Sequence, residues 1–379
     1  MLARTAVTIL AREKGKYLGV VIGVAMAVLL VLLQFGFFLG FQRDITIVPD
    51  SFDADLWVSQ QPVLAFDYLT IFDDLPRTVV LGDAEVQAAA GIIAEWVRFR
   101  RLPDGATESA QVVGIPFTDG VGVDLGTDAA LDLRTALSVP GNVLVDEKHL
   151  DRVGQTYNGE AGIEIRGLHM NVVGVMRGKK LFSTACLLVT DVDNARRFLS
   201  FPANRISYLA VKCRAGADVR AVQARLQERL PALKVWTARE FHDLTQDYWV
   251  RLTGIGPVLL LSAALAVLVG FLTVFLSFSH LTAEKLPVYA AMKAMGASTA
   301  ELSGMALLQI GVVFGLGCVL ALGGLVAALL VLAHTTISVV LTPGIVALGV
   351  GFMALCSVAA GMRSLIKLAN LEPGEAFRA

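Results

Sequence analysis

The residues with the widest chemical reach in this chain are five histidines and four cysteines. Their spacing builds no reactive centre. His149, His169, His242, His280 and His334 are isolated, with no H-E-x-x-H helix or Cys/His cluster of the kind that holds zinc. No G-x-S-x-G elbow presents a serine nucleophile. Asp50, Asp53 and Asp55 lie close together, but a calcium loop also needs a glycine and a distant glutamate. They read as a solvated approach to a strand. Gly15-Lys16 has the last glycine and the lysine of a phosphate loop, yet Tyr17 follows where Ser or Thr is required, and Leu10 replaces the first glycine. Intrinsic catalysis has no positive support, and any ATP-driven work needs an ATPase on another chain.

The stretch with a functional pattern is 282–298, TAEKLPVYAAMKAMGAS. Pro287 suits a first helical turn, where a missing N–H costs nothing. Val288, Ala291, Met292 and Met295 then recur at i, i+3, i+4 and i+7 as one apolar stripe. Tyr289 and Lys293 lie on another side, Lys285 precedes, and Gly296 is a natural C-terminal stop. Ser298 and Glu301 have the spacing of a capping box, so the next helix starts there. The expectation is a short amphipathic helix in a coupling loop, 281–303, with nothing to bury its stripe against except a partner.

That loop sits between apolar blocks. Apolar residues make up 55% of the chain and charged ones 17%, and the apolar excess is concentrated in four uncharged runs, which places the chain in the membrane class. The expected spans are 17–41, 254–280, 304–333 and 343–362, with a short loop at 334–342. The first is too long for a signal-peptide core and reads as an uncleaved span. Arg4, Arg12, Lys14 and Lys16 precede it, Lys285 and Lys293 separate the second and third, and Arg363, Lys367 and Arg378 follow the fourth. By the positive-inside rule the N-terminus (1–16), the coupling loop and the tail (363–379) are cytoplasmic, in a cell inner membrane. The fold class is therefore a membrane protein with four transmembrane α-helices and a large α+β extracytoplasmic (periplasmic) domain, 42–253, between helices 1 and 2. A net charge of −1 gives no reason to expect a nucleic-acid partner; membrane lipids are the expected surroundings.

Within the outer domain, strands are expected at 55–59, 92–99, 110–115, 142–146, 163–166, 169–175, 186–190 and 207–213. Helices are expected at 83–90, 191–199 and 217–230, and 119–128 reads as loop. Residues 237–252 form a helical stalk expected to enter span two without a break. Cys186 and Cys213 lie in apolar strand-like runs that suit buried free thiols, though the compartment also permits a bridge. In the spans, Gly19/Gly23, Gly36/Gly40 and Gly311/Gly315 have the G-x-x-x-G spacing that lets helices, or two copies of the chain, approach closely. Apart from His280 at the very end of span two, no Asp, Glu, Lys, Arg or His lies inside a span, whereas ion-coupled carriers generally need such groups at membrane depth.

One span, a large outer domain and three further spans resemble the permeases of the FtsX/MacB/LolC superfamily. The basic start LARTAVTILAREKGKYLGVVIGVA, the loop LPVYAAMKAMGAS, the tail LEPGEAFR and DADLWV carry the likeness, which is greatest to DevC-like permeases. In many members Glu precedes the aromatic, where this chain has Val288. The resemblance implies a non-catalytic permease in an ABC-type efflux complex. Its partners would be a separate ATPase carrying ATP and magnesium, a second permease copy, a periplasmic adaptor and an outer-membrane channel. Coupling would be mechanotransmission: ATPase closure presses on the 282–298 helices and moves the outer domain. A LolC-type lipoprotein-releasing permease and an FtsX-like signal transmitter are the alternatives.

Overall fold

The computed structural model describes residues 14–102, 104–117, 119–128, 132–153, 162–182, 185–333, 335 and 337–369. It divides into two units, Met1–Gly40 with Pro257–Ala379, and Phe41–Gly256.

The second unit is the α+β domain. Its sheet contains β1 (Leu56–Gln60), β3 (Val86–Arg101), β4 (Thr107–Ile115), β5 (Asn142–Asp146), β6 (Ile163–Ile165), β7 (Leu168–Met176), β8 (Cys186–Asp191), β10 (Tyr208–Cys213) and β11 (Leu233–Thr237). The order is β11-β1-β10-β3-β4-β8-β5-β7-β6, and β6 also pairs with β3, closing the last six strands into a ring. A short pair, β2 (Phe72–Asp73) with β9 (Arg205–Ile206), stands apart. The 16-residue β3 belongs to both parts: Val86–Ile92 pairs with β10, and Ile93–Arg101 pairs with β4 and β6. Strands buried on both faces read as continuous apolar runs rather than alternating ones. Thus Cys186 and Leu188 of β8 enter one core while Leu187 and Val189 enter another. Both outer-domain cysteines are free and buried, and burial pushes the Cys186 thiol up to about 12.

The expected helix at 83–90 is instead the start of β3. Alanines favour helices, but here they are the small residues that a central strand packed on both sides can accept. Ala88 and Ala90 face one core, Val86 and Ala89 the other. The helix expected at 217–230 is present as Val219–Arg229, capped by Asp218, with Val222 and Leu226 buried.

In the first unit, four helices are long and apolar enough to cross a membrane. They belong to α1 (Lys14–Thr46) and the three C-terminal helices Ile255–Ala294, Thr299–Leu332 and Pro343–Ala369, called A, B and C here. Helix α1 is the most enclosed, with 39% of its apolar window buried against 22–28% in the others. Val24, Val31 and Leu32 of α1 lie against Gly317 of helix B, Gly270 of helix A and Gly349 of helix C. The 40 residues of helix A rise about 60 Å, twice the roughly 30 Å of a hydrocarbon core.

Two expectations change here. The stalk does not run unbroken into span two. Helix Ala238–Asp247 passes into a π-helical turn, Tyr248–Leu252, and then stops. Gly254 has φ +76°, a left-handed conformation that glycine tolerates and that interrupts a helix. Conversely, no loop separates span two from the expected coupling helix, because Pro287 lies inside helix A. A helix already nucleated by a span extends more easily than a new one forms. Pro287 therefore costs one hydrogen bond within a continuous helix.

Helix Ala238–Asp247 starts from a full capping box. Thr237 Oγ1 accepts from the Glu240 N–H at 3.1 Å, and the Glu240 carboxylate accepts from the Thr237 N–H at 2.9 Å. Thr237→Ala is expected to destabilise the domain by about 1 kcal/mol, and Thr237→Ser to restore it. Thermal unfolding of the detergent-solubilised chain measures both.

Candidate functional site

The residues singled out in 282–298 form the last turns of helix A and the tight turn that leads into helix B. The turn is closed from both sides. The Ala297 N–H donates to the Met292 carbonyl at 3.0 Å and the Gly296 N–H to that of Lys293 at 3.1 Å. This is a Schellman stop, with Gly296 at φ +98°. Ser298 then caps helix B: its Oγ accepts from the Glu301 N–H at 3.2 Å, and Glu301 Oε2 accepts from the Ser298 N–H at 2.9 Å.

The two sides of the segment differ. Tyr289 and Ala290 are buried against Leu302, Met305 and Ala306 of helix B, with Met292 partly covered at the edge. The Tyr289 hydroxyl donates to Gln309 Oε1 at 3.0 Å. Lys285 is also buried, its Nζ 5.8 Å from the centre of the Tyr17 ring. Pro287, Val288, Ala291 and Met295 face outward, Val288 44% and Met295 80% exposed, and Lys293 is half-exposed. The apolar stripe is therefore split: Val288, Ala291 and Met295 form an open patch, while Met292 helps to close the hairpin.

Gln309 was not singled out in the sequence, nor was Gln34, whose amide donates to Ser262 Oγ between α1 and helix A. The available signal was polarity without charge inside an apolar run, since such side chains hydrogen-bond across membrane helices. The paired glycines also separate. Gly23 lies against Ser277 and Thr273, and Gly36 and Gly40 against Ser338–Leu341, where the Val340 N–H donates to the Gly36 carbonyl at 3.0 Å. A Cβ on Gly19, Gly311 or Gly315 would meet nothing within 4 Å.

A second constellation joins the ends of α1 and of the π-helical turn to the α+β domain. The Phe182 ring meets Phe41 at 5.4 Å and Trp249 at 4.4 Å. Lys180 Nζ is 3.6 Å from Asp44 Oδ2, both side chains buried. Burial lowers the Lys180 ammonium from its ordinary range while the Asp44 charge opposes that shift. Trp249 Nε1 donates to Asp67 Oδ2 at 2.9 Å. The acidic trio divides among basic partners: Asp50 with His242 at 3.0 Å, and Asp53 and Asp55 with Lys212 at 2.6 and 3.4 Å. Among the described residues no group of three or more His, Cys, Asp or Glu is placed to hold a metal. The N-terminal stretch 1–13 and the tail 370–379, which carry part of the resemblance, lie outside the described residues.

Comparison with known proteins gives two family matches. Residues 17–229, more than half the chain, match the MacB-like periplasmic core domain, and residues 260–373 match the FtsX-like permease C-terminal domain. The chain belongs to the FtsX/MacB permease superfamily. It is thus an ABC-type permease, from families that are generally non-catalytic membrane subunits. Among solved structures, it is similar to the periplasmic region of MacB from Actinobacillus actinomycetemcomitans, with 12% identity, TM-score 0.38, and 52% of this chain and 92% of that one covered. It is also similar to the extracellular domain of the noncanonic ABC-type transporter YknZ from Gram-positive bacteria, with 12% identity, TM-score 0.35 and coverage of 48% and 99%. A domain of a permease protein from Porphyromonas gingivalis matches with 14% identity, TM-score 0.33 and coverage of 49% and 89%. No curated protein matches.

In this permease, Tyr289→Phe leaves the buried Gln309 acceptor without its donor. The expected cost is about 1–3 kcal/mol, read as a lower melting temperature of the purified chain. Gln309→Leu on that background should recover part of it, because neither polar partner is then left buried.

Proposed function

We propose that this chain is the permease subunit of an ATP-driven efflux complex of DevC-like type, and that the Val288–Ala291–Met295 patch, flanked by Lys293, docks a separate ATPase. The supporting observation is the geometry of the hairpin. Tyr289 and Ala290 fasten its inner side, two caps fix its turn, and the outer side leaves an apolar patch open. An ATPase chain, which carries ATP and magnesium, supplies what the missing phosphate loop cannot. Val288 stands where the resemblance gives many family members Glu, so in this reading contact rests on apolar burial and Lys293 rather than on an acidic residue.

In this reading the hairpin and both termini are cytoplasmic, the α+β domain is periplasmic, and two permease copies flank two ATPases. The open Gly311/Gly315 face of helix B is the surface offered to the second copy. Closure of the ATPases presses on the hairpins, and helix A carries the displacement towards the domain. Substrate is moved from the periplasm into an adaptor and outer-membrane channel without crossing the spans.

The test is Val288→Asp with Met295→Asp. Both side chains are exposed, so the melting temperature should hold. Co-purification of the ATPase should fall by about thirtyfold or more, the loss of a hot spot worth at least roughly 2 kcal/mol. Undiminished co-purification with intact export rules the docking patch out. The proteins recovered with the wild-type complex separate the classes: an adaptor supports efflux, a lipoprotein carrier supports release, and a wall hydrolase supports signalling.

A further inference from the structure

The segment between β1 and β2, residues 61–71, is irregular in backbone yet held from several sides. Val63, Ala65 and Phe66 are buried, and the Phe66 ring stacks on Tyr208 at 4.9 Å. The Tyr208 hydroxyl donates to the Tyr68 carbonyl at 2.6 Å, the Phe66 N–H to Thr245 Oγ1 at 3.3 Å, and Trp96 Nε1 to the Asp67 carbonyl at 2.8 Å. The one charged residue of the segment, Asp67, aims its carboxylate at Trp249 Nε1, 2.9 Å away. A loop fixed in this way displays its remaining side chains, and those are apolar. Leu64, Tyr68 and Leu69 are exposed, and so is Trp96 of β3, which the bond to Asp67 brings beside them.

Large apolar side chains grouped on the surface of a domain mark a place that something else covers. The chain itself narrows what that is. The Tyr68 ring packs edge-on against Tyr248 with centroids 5.0 Å apart, and the two hydroxyls are hydrogen-bonded. Ile255, where the apolar span of helix A begins, follows Tyr248 by seven positions. That is at most about 25 Å of extended chain, and the π-helical turn Tyr248–Leu252 shortens it. The domain, Phe41–Gly256, has an expected radius of gyration of about 17 Å, hence a width of roughly 45 Å. Whatever the angle between domain and spans, the patch is tethered within reach of the bilayer. Its composition fits that place, because Tyr and Trp are enriched where hydrocarbon meets water. Arg98 follows Trp96 by two residues and so shares its face of β3. It is exposed, and among the described residues it forms no ion pair. Its neighbours Arg100 and Glu95 are paired, with Glu164 and Arg166.

We propose that Leu64, Tyr68, Leu69 and Trp96 form a seat by which the α+β domain rests in the headgroup layer of the adjacent leaflet, with the Arg98 guanidinium on a lipid phosphate. The leucines leave water at the top of the acyl chains. Both aromatic side chains already have their polar atom bonded within the domain, so entering the layer leaves no donor unpaired. Arg98 supplies the planar fork that matches phosphate oxygens. The seat involves only the domain and the bilayer, and it stands apart from the ATPase reading.

Bromine quenches tryptophan emission only near contact, which separates insertion from mere proximity. The full chain is placed in nanodiscs of phosphatidylcholine brominated near the top of its acyl chains, with no partner protein present. Its emission should be quenched, and Trp96→Phe should remove the share of that quenching due to Trp96. Leu64→Asp with Leu69→Asp should remove the same share while Trp96 stays in place. Both leucines are exposed, so the melting temperature should hold. The seat is overturned if Trp96→Phe leaves the quenching unchanged, or if the Trp96 share survives in the folded double variant. It is also overturned if Trp96 is shielded from aqueous acrylamide only after a second protein is added, which makes the patch a protein-docking surface. The Trp96→Phe comparison involves neither leucine, so it decides the matter even if the double variant does not fold.

Discussion

Hydrocarbon offers no water to a backbone N–H or C=O, so a chain that crosses it must satisfy those groups within each segment. Four long helices meet that demand here. The same constraint governs what the spans can recognise. With no charged residue between Tyr17 and Phe41 or within the three later apolar runs, α1 meets helices A, B and C at glycine notches, and amide or hydroxyl contacts join α1 to helix A and helix A to helix B. Groups able to bind a polar partner or respond to solvent are displaced to the ends of the spans. Helix A, about twice the length needed to cross, carries such a device at each end.

Those devices have opposite mechanical character. At the C-terminal end, Tyr289, Ala290, the Schellman stop at Gly296 and the Ser298–Glu301 box make a stiff turn with one open side. At the N-terminal end, the π-helical turn and the left-handed Gly254 interrupt the helix, and the domain grips the chain just before that break through Trp249. A stiff end suits a surface on which force is applied. An interrupted end lets the chain change direction before helix A begins.

Sequence reading resolved most of this where local signals decide the outcome. Hydropathy located the four spans, S-x-x-E located the start of helix B, and apolar runs located most strands. It went wrong where long-range packing overrides local preference. Ala88–Ala90 looks helical by propensity, and only the two facing cores make it a strand. Pro287 looks like a helix start, and only the helix already running through span two makes it an interior residue. The i, i+3, i+4, i+7 spacing identified an apolar stripe, but which of its members face helix B depends on the rotation of helix A. The grip on Trp249 was illegible because Asp67, Trp96, Gln111 and Trp249 are brought together by sheet register across much of the chain.

The central claim, that the exposed side of the hairpin is the ATPase-docking face, is tested most directly by photo-cross-linking. A benzophenone amino acid placed at Met295, at Val288 or at Gly311 samples three defined directions in the intact membrane. The proposal predicts ATPase adducts from Met295 and Val288 and none from Gly311, whose open face on helix B is assigned to the second permease copy. Adducts with the ATPase from Gly311, or none from both hairpin positions in an assembled complex, would contradict it.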